Sequence, residues 1–128
     1  QMLQGKPYKK TCGGRMLWNN VDVRDTARAH RLCAESSVAK NGSRYILSAV
    51  DRSGELFTRE LQAKLKELFP GIKEIGGEEM EGGQPKEETR DRPRSYCLLA
   101  KQELGLTSYS IDDTLRATVD SYMRLGLL

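Results

Sequence analysis

The sequence predicts an α/β protein with few strands and about four helices. Three observations carry this expectation. Short apolar runs of strand character precede helix-period segments twice, at 16–23 before 26–36 and at 44–50 before 55–69. Two further helix-period segments, 95–104 and 110–125, close the chain. The 128 residues fit one domain by length. Two or three strands are few for a layered α/β unit, so the chain is expected to be a single incomplete domain, 1–128, with sheet missing upstream. It opens on Gln1 rather than methionine, as a fragment or processed product would.

Residues 1–15 are basic, with Pro7, Gly13 and Gly14, and read as a loop. Met16, Leu17, Trp18, Val21 and Val23 suit a strand that Asn19 and Asn20 interrupt. Asp25 then fits an N-cap, since its carboxylate can accept from unpaired first-turn amides and suits the positive end of the helix dipole. Ala29, Leu32 and Cys33 share one face of the helix that follows. Asn41-Gly42 signals a turn.

Residues 44–50, RYILSAV, read as a buried strand, rich in strand formers and too short for a stable helix. In ELFTRELQAKLKELF, 55–69, the spacing of Phe57, Leu61, Leu65 and Leu68 predicts the clearest helix, which Pro70-Gly71 stops. Residues 71–94 hold five glycines and two prolines with an acidic excess, and read as a flexible surface loop in which Ile72 and Ile75 suit a very short strand. A short helix over 95–104 would use Cys97, Leu98 and Leu99 as its apolar residues, with Gly105 at its end. In the last helix Ser110 and Asp113 form a capping-box pattern, Leu115, Val119, Tyr122 and Met123 an apolar face, and Gly126 a stop.

Net charge is only +3 but unevenly spread. Residues 1–31 carry seven Lys or Arg against two acids, whereas residues 74–92 carry seven acids against three bases. A basic start and an acidic middle attract each other and blunt any long-range pull on nucleic acid. The basic GKPYKK at 5–10, with Tyr8, could touch a phosphate backbone and stack a base, but it is too short to be specific, and a solvated loop is the stronger reading. Cys12, Cys33 and Cys97 are scattered and odd in number, which fits a reduced cytoplasmic setting. No signal peptide opens the chain, and no apolar run approaches the ~18 residues that span a bilayer.

The residues offer little chemistry of their own. His30 and Cys33 stand at i, i+3 within one helix, where a packed cysteine and a hydrogen-bonded histidine outweigh a catalytic pair. One histidine and three dispersed cysteines make no zinc set, and Glu78, Glu79 and Glu81 lack the alternation of a calcium loop, so no metal is expected. GGEEMEGG, 76–83, places glutamates where a phosphate cradle needs none. Asp112 and Asp113 belong to helix capping rather than acid–base work.

Read in order, five segments resemble the C-terminal part of the extended short-chain dehydrogenases/reductases, the NAD-dependent epimerase/dehydratase family, and within it the dihydroflavonol reductase and cinnamoyl-CoA reductase-like group. They are NNVDVRDTARAH, GSRYILSA, LQAKLKELFPG, AKQELGL and SIDDTLRATVDSYMRLGLL. The resemblance implies the C-terminal substrate-binding part of an NAD(P)-binding Rossmann-fold oxidoreductase acting on a carbonyl or alcohol. It also implies an N-terminal half with a GxxGxxG turn and a Tyr-x-x-x-Lys pair. None of Tyr8, Tyr45, Tyr96, Tyr109 and Tyr122 has a lysine four residues on. No catalytic and no cofactor-binding residue is therefore expected here, and NADP or NAD would serve the full-length enzyme without binding this chain alone.

By position the resemblance sets Leu17, Trp18, Asn19 and Asn20 on the substrate cleft. Trp18 would supply an apolar wall and an indole donor, and the asparagines amide donors and acceptors. For Trp18 a core anchor is an equal reading. Cys97-Leu98-Leu99 departs from the polar pattern the family carries before AKQELGL. The partner expected is a small-molecule substrate, with no membrane and no nucleic acid, and with self-association through an open edge of RYILSA. The rival reading is a non-catalytic α/β interaction module that docks a partner through its basic arm or acidic loop.

Overall fold

The computed structural model describes residue 3 and residues 17–47, 55–73, 75 and 98–128. Among them the order is β1 (Leu17–Asn19), α1 (Val23–Glu35), β2 (Glu55–Phe57), α2 (Thr58–Leu68), α3 (Leu98–Leu104) and α4 (Ile111–Arg124), with β1 and β2 paired in one two-stranded sheet. The α/β class and four helices are as expected. GKPYKK, GGEEMEGG, Cys12, Cys97 and all of 76–94 lie outside the described residues.

The chain divides into two compact units. One comprises Asn19–Glu55 and Pro93–Thr114; the other comprises Gln1–Trp18, Leu56–Arg92 and Leu115–Leu128.

In the first unit α1 and α3 are in contact. Ala29 of α1 is buried with Ala100, Leu104 and Leu106, and Leu32, Cys33, Ala39, Tyr45 and Leu47 pack around them. The α1 face expected from helical spacing is thus the face that packs. On α3 the expectation reverses. Leu98 and Leu99 are exposed, and Ala100 and Leu104 face the core. A seven-residue helix has one narrow buried stripe, and here its register follows Ala100, which is fully buried. Gly105, at φ +64°, ends α3, and the Leu106 N–H folds back to the Ala100 carbonyl at 3.2 Å.

Two expected strands are corrected. The first ends at Asn19 rather than running to Val23, and Val21 and Val23 are exposed. The alternation of valines resembles a strand, but Asp22 already caps the helix. Residues 44–47 of RYILSAV form no strand. Tyr45 and Leu47 pack on the cluster and Ile46 is exposed, so the period-2 pattern is used for packing without a ladder. Residues 48–50 lie outside the described set. The open edge expected of this segment is therefore not formed by 44–47. Asn41-Gly42 turns as expected, with Gly42 at φ +89° and the Ser43 N–H bonded to the Lys40 carbonyl.

In the second unit the helix expected over 55–69 begins three residues late, because Glu55–Phe57 forms β2. Glu55 is buried there. Phe57 has no side-chain acceptor with which to cap α2, and instead its N–H donates to Glu60 Oε2 at 2.9 Å. Leu61 and Leu65 are buried, as their spacing predicts. Ile72 and Ile75 make no strand, although Ile75 is buried. Helix α4 buries Leu115 and Val119 in this unit, and Met123 is exposed.

Its start, in the first unit, is capped by Ser110, which makes one half of a capping box. Ser110 Oγ accepts from the Asp113 N–H and donates to Asp113 Oδ2. Its end is a Schellman motif, in which Gly126 at φ +66° lets its N–H reach the Met123 carbonyl and the Leu127 N–H reach that of Tyr122.

Candidate functional site

Of the four residues expected on a cleft, Leu17, Trp18 and Asn19 form β1, and Asn20 follows it half-buried. The division between units falls after Trp18. Trp18 is not a core residue, since 37% of its surface is exposed. Its indole Nε1–H donates at 3.0 Å to Oγ1 of Thr58, the first residue of α2 and only 1% exposed. The indole donor expected for a ligand is therefore already used inside the protein, and the ring is left with an open apolar surface. Asn19 is exposed.

Polar chemistry concentrates instead at the start of α1, within the first unit. Asp22, not Asp25, is the N-cap. Its backbone is extended, and its Oδ1 accepts the Arg24 N–H at 2.8 Å. The Arg24 guanidinium closes on the same carboxylate through Nε at 2.9 Å and Nη2 at 2.6 Å, and Thr114 Oγ1 donates to Oδ2 at 3.0 Å. Asp25 stands three residues past the cap, the usual place for an acid in the first turn. It is 2% exposed, and its Oδ2 accepts the Tyr109 N–H at 2.9 Å across 84 residues of sequence. The Arg24 guanidinium lies 3.7 Å from the Tyr109 ring centroid and that of Arg28 lies 5.5 Å away. Arg28 also donates to the Thr107 carbonyl and hydroxyl.

The electrostatics follow from these contacts. The Arg24 side chain is the main cause holding the Asp22 carboxyl down at about 2, with the Thr114 bond adding to it and burial opposing it. Asp22 in turn pushes the Arg24 guanidinium up. A carboxylate held so low is a poor general acid or base near neutral pH, where the useful value lies close to the operating pH. This network fixes the start of α1 to the segment 107–114; it is scaffolding.

The other weighed groups are also structural. The His30 ring Nδ1 lies 2.8 Å from the Thr26 carbonyl one turn back, so that nitrogen carries the hydrogen, while Cys33 packs into the α1–α3 cluster. Asp112 and Asp113 lie in the first turn of α4. Among the described residues no three His, Cys, Asp or Glu side chains group to hold a metal, and no helix is long and apolar enough to cross a membrane. An apolar cavity of about 400 Å³ lies in the second unit, lined by Ile72, Lys73, Met123, Leu127 and Leu128 among others, and by none of residues 17–20.

Sequence reasoning missed Thr58, Tyr109 and Thr114. Their partners lie 40, 84 and 92 residues away, and no local spacing announces such pairs.

No protein-family model and no curated protein matches the chain. Solved structures do. A crystal structure of Gre2 from Candida albicans matches with a TM-score of 0.67 and 26% identity over 96% of this chain. Gre2 from the same organism in complex with NADPH matches with the same TM-score at 25% identity. The chain has the fold of part of Gre2. It spans about a third of the length of that protein, 34%. Likeness to one part of a larger Rossmann-type protein fits an α/β chain with a two-stranded sheet among the described residues.

Proposed function

We propose that this chain is the substrate-side part of an NADPH-dependent oxidoreductase of the short-chain dehydrogenase/reductase type, of the dihydroflavonol reductase or epimerase/dehydratase-like kind, and that it acts in the cytoplasm. The supporting observation is the match of 96% of the chain to one third of Gre2, a protein crystallised with NADPH. The five ordered segments of the sequence support the same reading. In the complete enzyme a hydride passes between nicotinamide and a carbonyl or alcohol carbon. The cofactor site and the tyrosine–lysine pair belong to the other part of that enzyme. Leu17, Trp18, Asn19 and Asn20 contribute one wall of the substrate cleft, an apolar surface beside amide groups, as small-molecule sites require.

The test compares the chain alone with the chain joined in frame to the sequence that precedes Gln1 in its gene. NADPH consumption is followed over a panel of aldehydes and ketones. Turnover is expected only from the joined form, with Trp18→Ala raising KM. Turnover by the chain alone, or an upstream sequence that adds no NADPH binding, overturns the proposal.

A further inference from the structure

We infer that Thr58 is a positioning residue that holds the Trp18 indole with its N–H turned inward, so that the wall at Trp18 receives the apolar portion of a carbonyl compound and gives it no hydrogen bond. The inference rests on the proposal that residues 17–20 line a substrate cleft. Three observations carry it. The indole Nε1–H is committed to Thr58 Oγ1 at 3.0 Å. An indole nitrogen has one hydrogen and no acceptor, so it can serve no second polar partner well. Thr58 is 1% exposed at the first position of α2, whereas Trp18 remains 37% exposed. The anchor is thus buried, and with the N–H committed the rest of the ring is hydrocarbon.

A tryptophan whose N–H pointed outward would select ligands bearing a hydroxyl or carbonyl at that place, because leaving such a donor unpaired against an apolar group is costly. Turned inward, the same residue selects by apolar contact, which rejects polar analogues only weakly.

The chain has one tryptophan, so its indole N–H gives a single, unambiguous signal in a nitrogen–proton correlation spectrum. In the wild type that signal is expected to exchange slowly with solvent. Thr58→Val, which keeps the shape and removes the hydroxyl, is expected to move the signal and speed its exchange, and Thr58→Ser to restore both. Circular dichroism checks that all three are equally folded. Benzylacetone and dihydroxyacetone then serve as an apolar and a polar probe. Benzylacetone is expected to shift the Trp18 ring carbon-bound protons while leaving the N–H in place, and dihydroxyacetone to shift neither.

Equal exchange in wild type and Thr58→Val overturns the positioning role, whatever the probes do. A shift of the N–H by dihydroxyacetone overturns the apolar wall. No response of the ring to benzylacetone, with the Thr58 bond intact, instead removes the cleft proposal on which the inference stands.

Discussion

Trp18 and the start of α1 lie a few residues apart and spend their polar groups in opposite ways. Trp18 has one long-range hydrogen bond, to Thr58, and an open ring. Asp22 and Asp25 are buried; Arg24 and Thr114 donate to Asp22, and the Tyr109 N–H donates to Asp25 Oδ2. The contrast separates exposed apolar surface from polar chemistry that holds the fold. In the stretch VDVRD the charged residues serve as fasteners. The exposed Trp18 ring sits before them.

The largest effect is expected where the network is most buried. Asp25→Ala leaves the Tyr109 N–H without its carboxylate and should cost about 2 kcal/mol, since bonds to charged groups contribute about 1.5–3. A urea unfolding midpoint measures this, and a loss below that of an ordinary surface substitution would break the distinction between fastener and surface.

Acid should act next. The Asp22 carboxyl is ordinarily 3.8 and is held at about 2 in the folded chain. Its contribution is complete above the ordinary value and is lost as pH falls through 3.8 towards 2. Arg24 is 43% exposed, so solvent screening trims the contribution to about 1–2 kcal/mol. Stability measured against pH should show this loss in the wild type and a flatter profile in Asp22→Asn.

Thr58→Val and Ser110→Ala should each cost about 1 kcal/mol, one by removing a partly buried hydrogen bond and the other a helix cap. Only the first should alter Trp18 fluorescence. At the small end, Arg31 and Glu35 pair at 2.8 Å with both side chains more than half exposed. Arg31→Ala should cost no more than about 0.5 kcal/mol and nothing at high salt.

The sequence reading was reliable where one element decides its own geometry. The spacing of Leu61 and Leu65 gave the buried face of α2, and Ser110 with Asp113 gave the start of α4. It was unreliable where tertiary partners choose among equal local options. Asp22 and Asp25 are both sound caps by residue type, and only the backbone turn at Asp22 and the reach of Asp25 to Tyr109 separate them. Residues 44–47 have strand composition, but a strand needs a neighbour to bond, and among the described residues they have none. The four cleft candidates came from resemblance. Their spacing could not show that the Trp18 donor is already committed to a threonine in another element.

The central claim, that this chain is the substrate-side part of an NADPH-dependent reductase, is tested most directly by NADPH consumption in the chain alone and in the chain joined to its upstream coding sequence. Carbonyl-dependent consumption by the joined form only, weakened by Trp18→Ala through KM, is the result predicted. Consumption by the isolated chain, or none by the joined form with any carbonyl of the panel, would contradict the claim.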